Sequence, residues 1–347
     1  MPTITNATLA AIAEQVDRRN GILQKFINEF TPTSWANVLA DVRAGKAKQR
    51  YAIGDELIGS YVYNGQTYDC PWVVLDNDRE CEWEDGTKHP GLWLGMKYCT
   101  PEDIQFDAKE GEEATEETAQ AGVYYCGFNG STYTMLDLSA GDTIPYGSYT
   151  TVYKGAINNK DVYQYGYNRY RDSAIRQWLN SDGAVGEWWE PTHLGDAAPS
   201  QLGSRPGFIA GLPSDFLAVV QKVKYKASAN TVTDGGAEDI LCDKFFLQSL
   251  EEVYGSPQIP DVEGPYFPYW KIITGMSEPS NGSSTNTNPA RKIPRLTSPT
   301  GSAATVRLRS AYRGYASYAW YVYSTGYLYN YSYAYASYAS LPACVIS

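Results

Sequence analysis

"SAYRGYASYAWYVYSTGYLYNYSYAYASYASLPACVIS" occupies residues 310–347. Between positions 311 and 340 most residues are Tyr, Ala, Ser or Asn. Within that composition lies a pattern: Ser324-Thr325-Gly326 predicts a three-residue hairpin loop, with Gly where left-handed backbone is wanted, flanked by two alternating segments. Closing the loop sets Tyr323 opposite Tyr327 and Tyr321 opposite Tyr329, so these phenols share one side of the ribbon. The other side carries Trp320, Val322 and Leu328. Because side chains alternate with period two, the apolar trio is expected to face inward and the tyrosines outward. After Asn330, "YSYAYASYAS" loses the apolar partner face and predicts an exposed loop before a last core strand, "LPACVIS".

This ribbon makes Tyr312, Tyr315, Ser317, Tyr318, Tyr321, Tyr323, Tyr327, Tyr329, Tyr331, Tyr333, Tyr335 and Tyr338 the candidate ligand-binding residues. Half-exposed tyrosines of about 200 Å² each would together display on the order of 1,000 Å². That exceeds the roughly 300–600 Å² of an ordinary monomer's largest apolar patch and approaches one side of a standard interface. Tyr, Ser, Gly and Asn are also the residues of antibody paratopes, where Tyr gives wide amphipathic contact at low entropic cost. A prion-like tract shares the composition, but the interleaved Trp320, Val322 and Leu328 and the placed turn argue against it. A tyrosine-packed core would need a partner for every buried hydroxyl.

Working outward, the 347 residues suffice for one large domain with a buried core. Leu9, Ile12, Ala13 and Val16, then Ile22, Leu23, Phe26, Ile27 and Phe30, predict two amphipathic helices, and "TPTSWANVLADVRAG" a third with Ser34 as N-cap and Gly45 as its stop. This N-terminal helical segment, residues 1–50, either packs on the main domain or serves homo-oligomerisation or docking. The main domain spans residues 51–347. "GSYVYNG", "PWVVLDND" and "GLWLGMKY" read as short antiparallel strands between Gly, Asn and Asp turns. The acidic "DAKEGEEATEETAQAG", residues 107–122, predicts a solvated excursion, and "SEPSNGSSTNTNPARK", residues 277–292, a polar loop. Helices are expected at "DSAIRQWLNS" with Asp172 as N-cap, at "PSDFLAVVQKV" from Pro213, and at "SLEEVYG" ending at Gly255. The sum is an α+β fold with strands at both ends and helices inserted between them.

A net charge of −11 without a clustered basic patch excludes nucleic acid and anionic membrane surfaces as partners. The start lacks a secretory signal pattern and no window predicts a membrane span, so cytoplasmic synthesis without membrane insertion is expected. Cys70, Cys81, Cys99, Cys126, Cys242 and Cys344 are scattered without a C-x-x-C pair and read as buried free thiols.

"YAIGDELIGSYVYNGQTYDCPWVVLDND" (51–78), "YRDSAIRQWLNS" (170–181), "CDKFFLQSLEEVYG" (242–255), "VRLRSAYRGYASYAWYVYSTGYLYNY" (306–331) and "SLPACVIS" (340–347) together resemble a widespread bacterial and phage domain. Its landmarks are a G-D start, a D-S-x-[IL]-R-x-W-L-N helix, a D-K-x-F-L-x-S segment, an L-R-S stretch and a closing R-P-A strand; Leu341-Pro342-Ala343 departs from the last. With its Tyr/Ala/Ser/Asn-rich end, the chain is similar to the variable proteins of diversity-generating retroelements, which have a C-type-lectin-like fold. In that family a reverse transcriptase copies a template repeat with adenine-directed errors, and the copy replaces the variable end of the gene. Replacing the two adenines of an AAY asparagine codon reaches Tyr, Ser, Ala, Asn, Thr and Gly but never a stop codon. The resemblance implies a phage or prophage protein, virion-associated, binding a bacterial surface protein or glycan through a hypervariable region at about 310–340.

Catalytic chemistry has little to work with. His89 and His193 lie in loop-like contexts and read as surface residues. Glu190-Pro191-Thr192 and Glu278-Pro279-Ser280 are poor substitutes for the calcium-binding tripeptides of C-type lectins, so no cofactor and no metal is assigned. Trp188 and Trp189 in "GEWWEP" read as a core pair rather than a sugar platform. The expectation is recognition without catalysis; an enzyme on a formylglycine-generating-type version of the fold and a structural virion or envelope assembly protein are the alternatives.

Overall fold

The computed structural model describes residues 34–255, 263–275 and 287–347. The two helices expected before residue 31 and most of the polar loop at 277–292 lie outside the described residues.

The described chain is a mixed α+β structure built mostly of antiparallel strands with few helices. Its central sheet begins with the hairpin of Glu56–Tyr63 and Gln66–Asp76, closed by Asn64 and Gly65, both with positive φ as a two-residue turn of this hand requires. Gln66–Asp76 then pairs with Leu92–Met96, which pairs with Pro342–Ile346. The far edge of that closing strand is shared by Val220–Gln221 and Phe245–Leu247. The C-terminal segment is therefore an interior strand, and all of Pro342–Ile346 is buried, as its unbroken apolar sequence requires. Trp72, Trp93, Leu94, Phe245 and Phe246 fill the layer around it.

A second sheet runs in the order Leu328–Tyr333, Tyr318–Val322, Val306–Ala311, Ser337–Ser340, Ile104–Gln105. The hairpin forms in the expected register, with Tyr321 opposite Tyr329 and Val322 opposite Leu328. Gly326 has φ +84, and a Cβ there would collide with the Asn288 carbonyl oxygen, so the loop position needs glycine for two reasons. The segment expected as an exposed loop is instead structured. Leu328–Tyr333 runs on through Tyr331, and Ser337–Ser340 pairs parallel to Val306–Ala311, with Ala334, Ala339 and Ser340 buried. The small Ala339 and Ser340 side chains face the strand Val306–Ala311 at its Val306 and Arg307.

The acidic stretch 107–122 is not a solvated excursion. It supplies Glu112–Glu113, the edge strand of a four-stranded sheet with Thr151–Gly155, Tyr124–Phe128 and Tyr133–Leu136, and it buries Ala114 and Ala119 against Tyr125, Ile144 and Val152. Two of its carboxylates are compensated from neighbouring strands: Lys154 pairs with Glu112 at 3.3 Å and Glu116 at 3.1 Å, and the Tyr125 hydroxyl donates to Glu116 at 2.8 Å.

Trp35–Arg43 is helical, capped by the Ser34 side chain and followed by Gly45 at φ +68; its Trp35, Val38 and Val42 join the main core. Ala174–Leu179 is capped by Ser173 rather than Asp172, whose carboxylate pairs with Arg171 at 2.8 Å. The helix after Pro213 is only Ser214–Leu217, and the chain then enters strand Val220–Gln221. Leu250–Tyr254 ends at Gly255 as expected and opens on a capping box between Ser249 and Glu252. The six cysteines are free, and all but the half-buried Cys242 are buried. Trp188 is buried and donates to the Arg205 carbonyl at 2.6 Å, while Trp189 packs partly against the core. Among the described residues no helix is long and apolar enough to cross a membrane.

Candidate ligand-binding surface

Two buried polar side chains hold the tyrosine-bearing segments in place. Arg307, on the strand opposite Tyr321, donates to the carbonyls of Ala319, Ser332, Tyr333 and Ala336 and to the Ser332 hydroxyl, at 3.0–3.4 Å. Its guanidinium lies 4.8 Å from the Tyr338 ring centroid. Burial lowers its pKa to about 10, with the Tyr338 and Tyr321 phenols opposing that shift. Asn168 acts on the loop between Val306–Ala311 and Tyr318–Val322. Its amide nitrogen donates to the carbonyls of Tyr312 at 3.3 Å, Tyr315 at 2.6 Å and Tyr318 at 2.7 Å, while its backbone N–H donates to the Ala316 carbonyl at 2.9 Å. Asn230 donates to the Asn168 oxygen at 2.9 Å, which fixes the amide's orientation.

On this frame the expected tyrosines form one connected network of rings. Tyr335 stacks on Tyr333 and Tyr333 on Tyr318, with centroids 5.7 and 4.9 Å apart. Tyr318 meets Tyr315 at 5.0 Å and Tyr331 at 5.2 Å, both edge-to-face, and Tyr312 lies against Tyr315 and Tyr331. From Tyr331 the network continues through Tyr329 to Tyr327 and to Tyr321, which touches Tyr323 and Tyr338. Offset and edge-to-face pairs of this kind add to the stability of the layer beyond the area they bury.

Exposure across the network is uneven. Tyr315, Tyr323 and Tyr331 are the most open, at 39%, 48% and 49%. Tyr312, Tyr318, Tyr327, Tyr329, Tyr333, Tyr335 and Tyr338 are half-buried. Tyr321, expected to point outward, is only 8% exposed because Tyr338 stacks over it and Tyr329 and Tyr323 close its edges. Burial, then the neighbouring Tyr338 and Tyr329 phenols, push its pKa upward. Ser317 is 1% exposed and lies beneath the surface, not in it. On the inner side Val322 and Leu328 are buried as expected, whereas Trp320 is half-buried beside an irregularity in the pairing between Ala319 and Tyr321, its ring edge-on to Tyr312.

Three contributors escape a reading of the C-terminus alone. Tyr165, last residue of helix Lys160–Tyr165, stacks on Tyr333 at 3.9 Å and extends the ring surface with a residue from outside the C-terminal segment. Lys109 lies 5.2 Å from the Tyr335 ring centroid, and Asn168 is the bracket described above. The histidines also differ from expectation. His193 is half-buried with Nε2 3.0 Å from Glu110, and His89 stacks on Trp83 at 3.7 Å.

Residues 148–347 match the family described as Domain of unknown function (DUF6273). The chain belongs to the DUF6273 family. The DUF6273 segment contains the tyrosine-bearing sheet apart from Ile104–Gln105, together with Tyr165, Asn168 and the closing strand; the strands that flank the closing strand on its Leu92–Met96 side precede it. No curated protein and no solved structure matches the chain.

Proposed function

We propose that this protein recognises a ligand through its tyrosine-paved sheet, as a variable protein of a diversity-generating retroelement on a C-type-lectin-like scaffold. The observation that carries the reading is the single ring network from Tyr335 to Tyr327, opening to solvent at Tyr315, Tyr323 and Tyr331 and held from beneath by Arg307 and Asn168. Rigid aromatic anchors supply contact area at low entropic cost, and the small Ser and Ala positions among them shape the gaps. Exchange of ring-bearing positions retargets the surface while Gly326, Val322, Leu328 and Arg307 keep the frame. The function is recognition without catalysis, by a phage-encoded, virion-associated protein, with a bacterial surface protein or glycan as target.

The test is genetic. The reading expects a reverse transcriptase beside the gene and a near-copy of the gene's 3′ end that differs from it at adenines. A gene with neither neighbour, in which every tyrosine from Tyr312 to Tyr338 is fixed among relatives, supports an assembly role and defeats the proposal.

A further inference from the structure

A second feature, independent of the recognition reading, sits directly behind the tyrosine-bearing sheet. Asp107 and Glu110 are 1% and 4% exposed, and Asp196 is half-buried beside them. One carboxylate oxygen from each lies within 4.8 Å of the other two. Two chain crossings fix the arrangement. The Asp107 N–H donates to the Ala334 carbonyl at 3.1 Å, and the Gly111 N–H donates to the Gly195 carbonyl at 2.6 Å, which clamps the 107–111 loop against the turn that carries Asp196.

Part of each carboxylate is accounted for. Asp107 accepts from the Ala174 N–H at 3.3 Å, Glu110 bonds His193 Nε2 at 3.0 Å, and Asp196 accepts from the Thr192 N–H at 2.8 Å and hydroxyl at 3.0 Å. The remaining oxygens, Asp107 Oδ2, Glu110 Oε1 and Asp196 Oδ1, are buried without a hydrogen-bond partner. Three carboxylates placed together out of water either hold protons or share a cation, and the orphaned oxygens, which have no hydrogen-bond partner, are free to accept a cation.

We propose that Asp107, Glu110 and Asp196 are ligands of a calcium ion that fastens the 107–111 loop beneath the tyrosine-bearing sheet. Calcium takes oxygen ligands at about 2.3–2.6 Å in flexible geometry, so ligand oxygens on opposite sides of the ion stand up to about 5 Å apart, which accommodates this set. Carboxylates without thiolate ligands suit a hard cation. The ion acts on the surface through the loop: Lys109 lies over Tyr335, and the Asp107 and Ala108 carbonyls crowd Gly166, next to Tyr165. At Gly166, with φ +80, a Cβ would stand 2.6 Å from the Ala108 oxygen and 2.9 Å from the Tyr335 nitrogen, so loop, helix end and ribbon are packed tightly against one another.

The experiment uses the full chain, stripped with a chelator and titrated with calcium chloride by calorimetry and thermal unfolding. The expected result is one saturable site and a midpoint rise of roughly 4 °C at calcium a hundredfold above its dissociation constant. D107N and E110Q remove a buried charge, so they are expected to fold in calcium-free buffer and to lose the rise. If either fails to fold by circular dichroism, D196N, which alters the half-buried member, is measured in its place with the same expectation. No heat and no midpoint change at millimolar calcium, a response to magnesium alone, or folded variants that keep the wild-type response would overturn the proposal.

Discussion

Asn168 shows how one buried side chain sets a surface it never reaches. Its amide nitrogen spans three carbonyls of the 312–318 loop, and its oxygen is already taken by Asn230. Asn168→Ala leaves the Tyr315 carbonyl without its donor, while the Tyr312 and Tyr318 carbonyls keep the backbone N–H groups of Tyr315 and Tyr312; one orphaned carbonyl costs about 1–3 kcal/mol. Asn168→Asp is expected to be worse, because a carboxylate oxygen would then face carbonyl oxygens. Thermal unfolding should rank the chains wild type above Asn168→Ala above Asn168→Asp, and hydrogen exchange should rise at residues 312–318. Unchanged exchange there would show that the loop holds itself. None of this could be read in "YGYNRYRDS", because the residues that Asn168 brackets lie more than a hundred positions away. The tyrosines themselves were legible, since composition and alternation mark them directly. The burial of Tyr321 and Ser317 was not, because it depends on Tyr338 folding back over the ribbon and on a loop packed from beneath.

Elements divide along the same line. The hairpin register, the helix ending at Gly255 and the closing core strand were legible because each is coded by a local turn, cap or apolar run. The parallel strand Ser337–Ser340 was not, since parallel pairing leaves no turn signature. The acidic stretch 107–122 misleads because its compensation by Lys154 and Tyr125 comes from other strands. Gly326→Ala tests the hairpin as an element. Its left-handed backbone and the clash with the Asn288 carbonyl both oppose a methyl group, so a loss of about 1–3 kcal/mol is expected in denaturant unfolding. A stability equal to wild type would mean that the loop adopts another conformation.

For the whole molecule, the tyrosines beneath the surface set the alkaline limit. Burial first, then nearby charges and phenols, raise Tyr61, Tyr170 and Tyr225 above their ordinary value. The folded state thus holds these phenols neutral while the unfolded chain ionises them near pH 10. Their contribution is complete below pH 10 and is lost as pH rises from there through the folded-state values. Arg79, Arg291 and Arg307, all lowered by burial, work in the opposite sense but are outnumbered by the buried tyrosines raised in the same way, Tyr51, Tyr163 and Tyr167 among them. Tyrosinate absorbance should show a late class that appears only as circular dichroism reports unfolding; full ionisation with the fold intact would contradict these assignments.

In the proposed function, a fixed frame displays rings free to change. Sequencing the 3′ end of the gene from many cells or particles of one population tests it most directly. Substitutions are expected to concentrate at ring-bearing positions such as Tyr315, Tyr323 and Tyr331, changed through adenines, with Arg307, Val322, Gly326 and Leu328 constant. Substitutions spread evenly across residues 306–340, or tyrosines as invariant as Gly326, would contradict it.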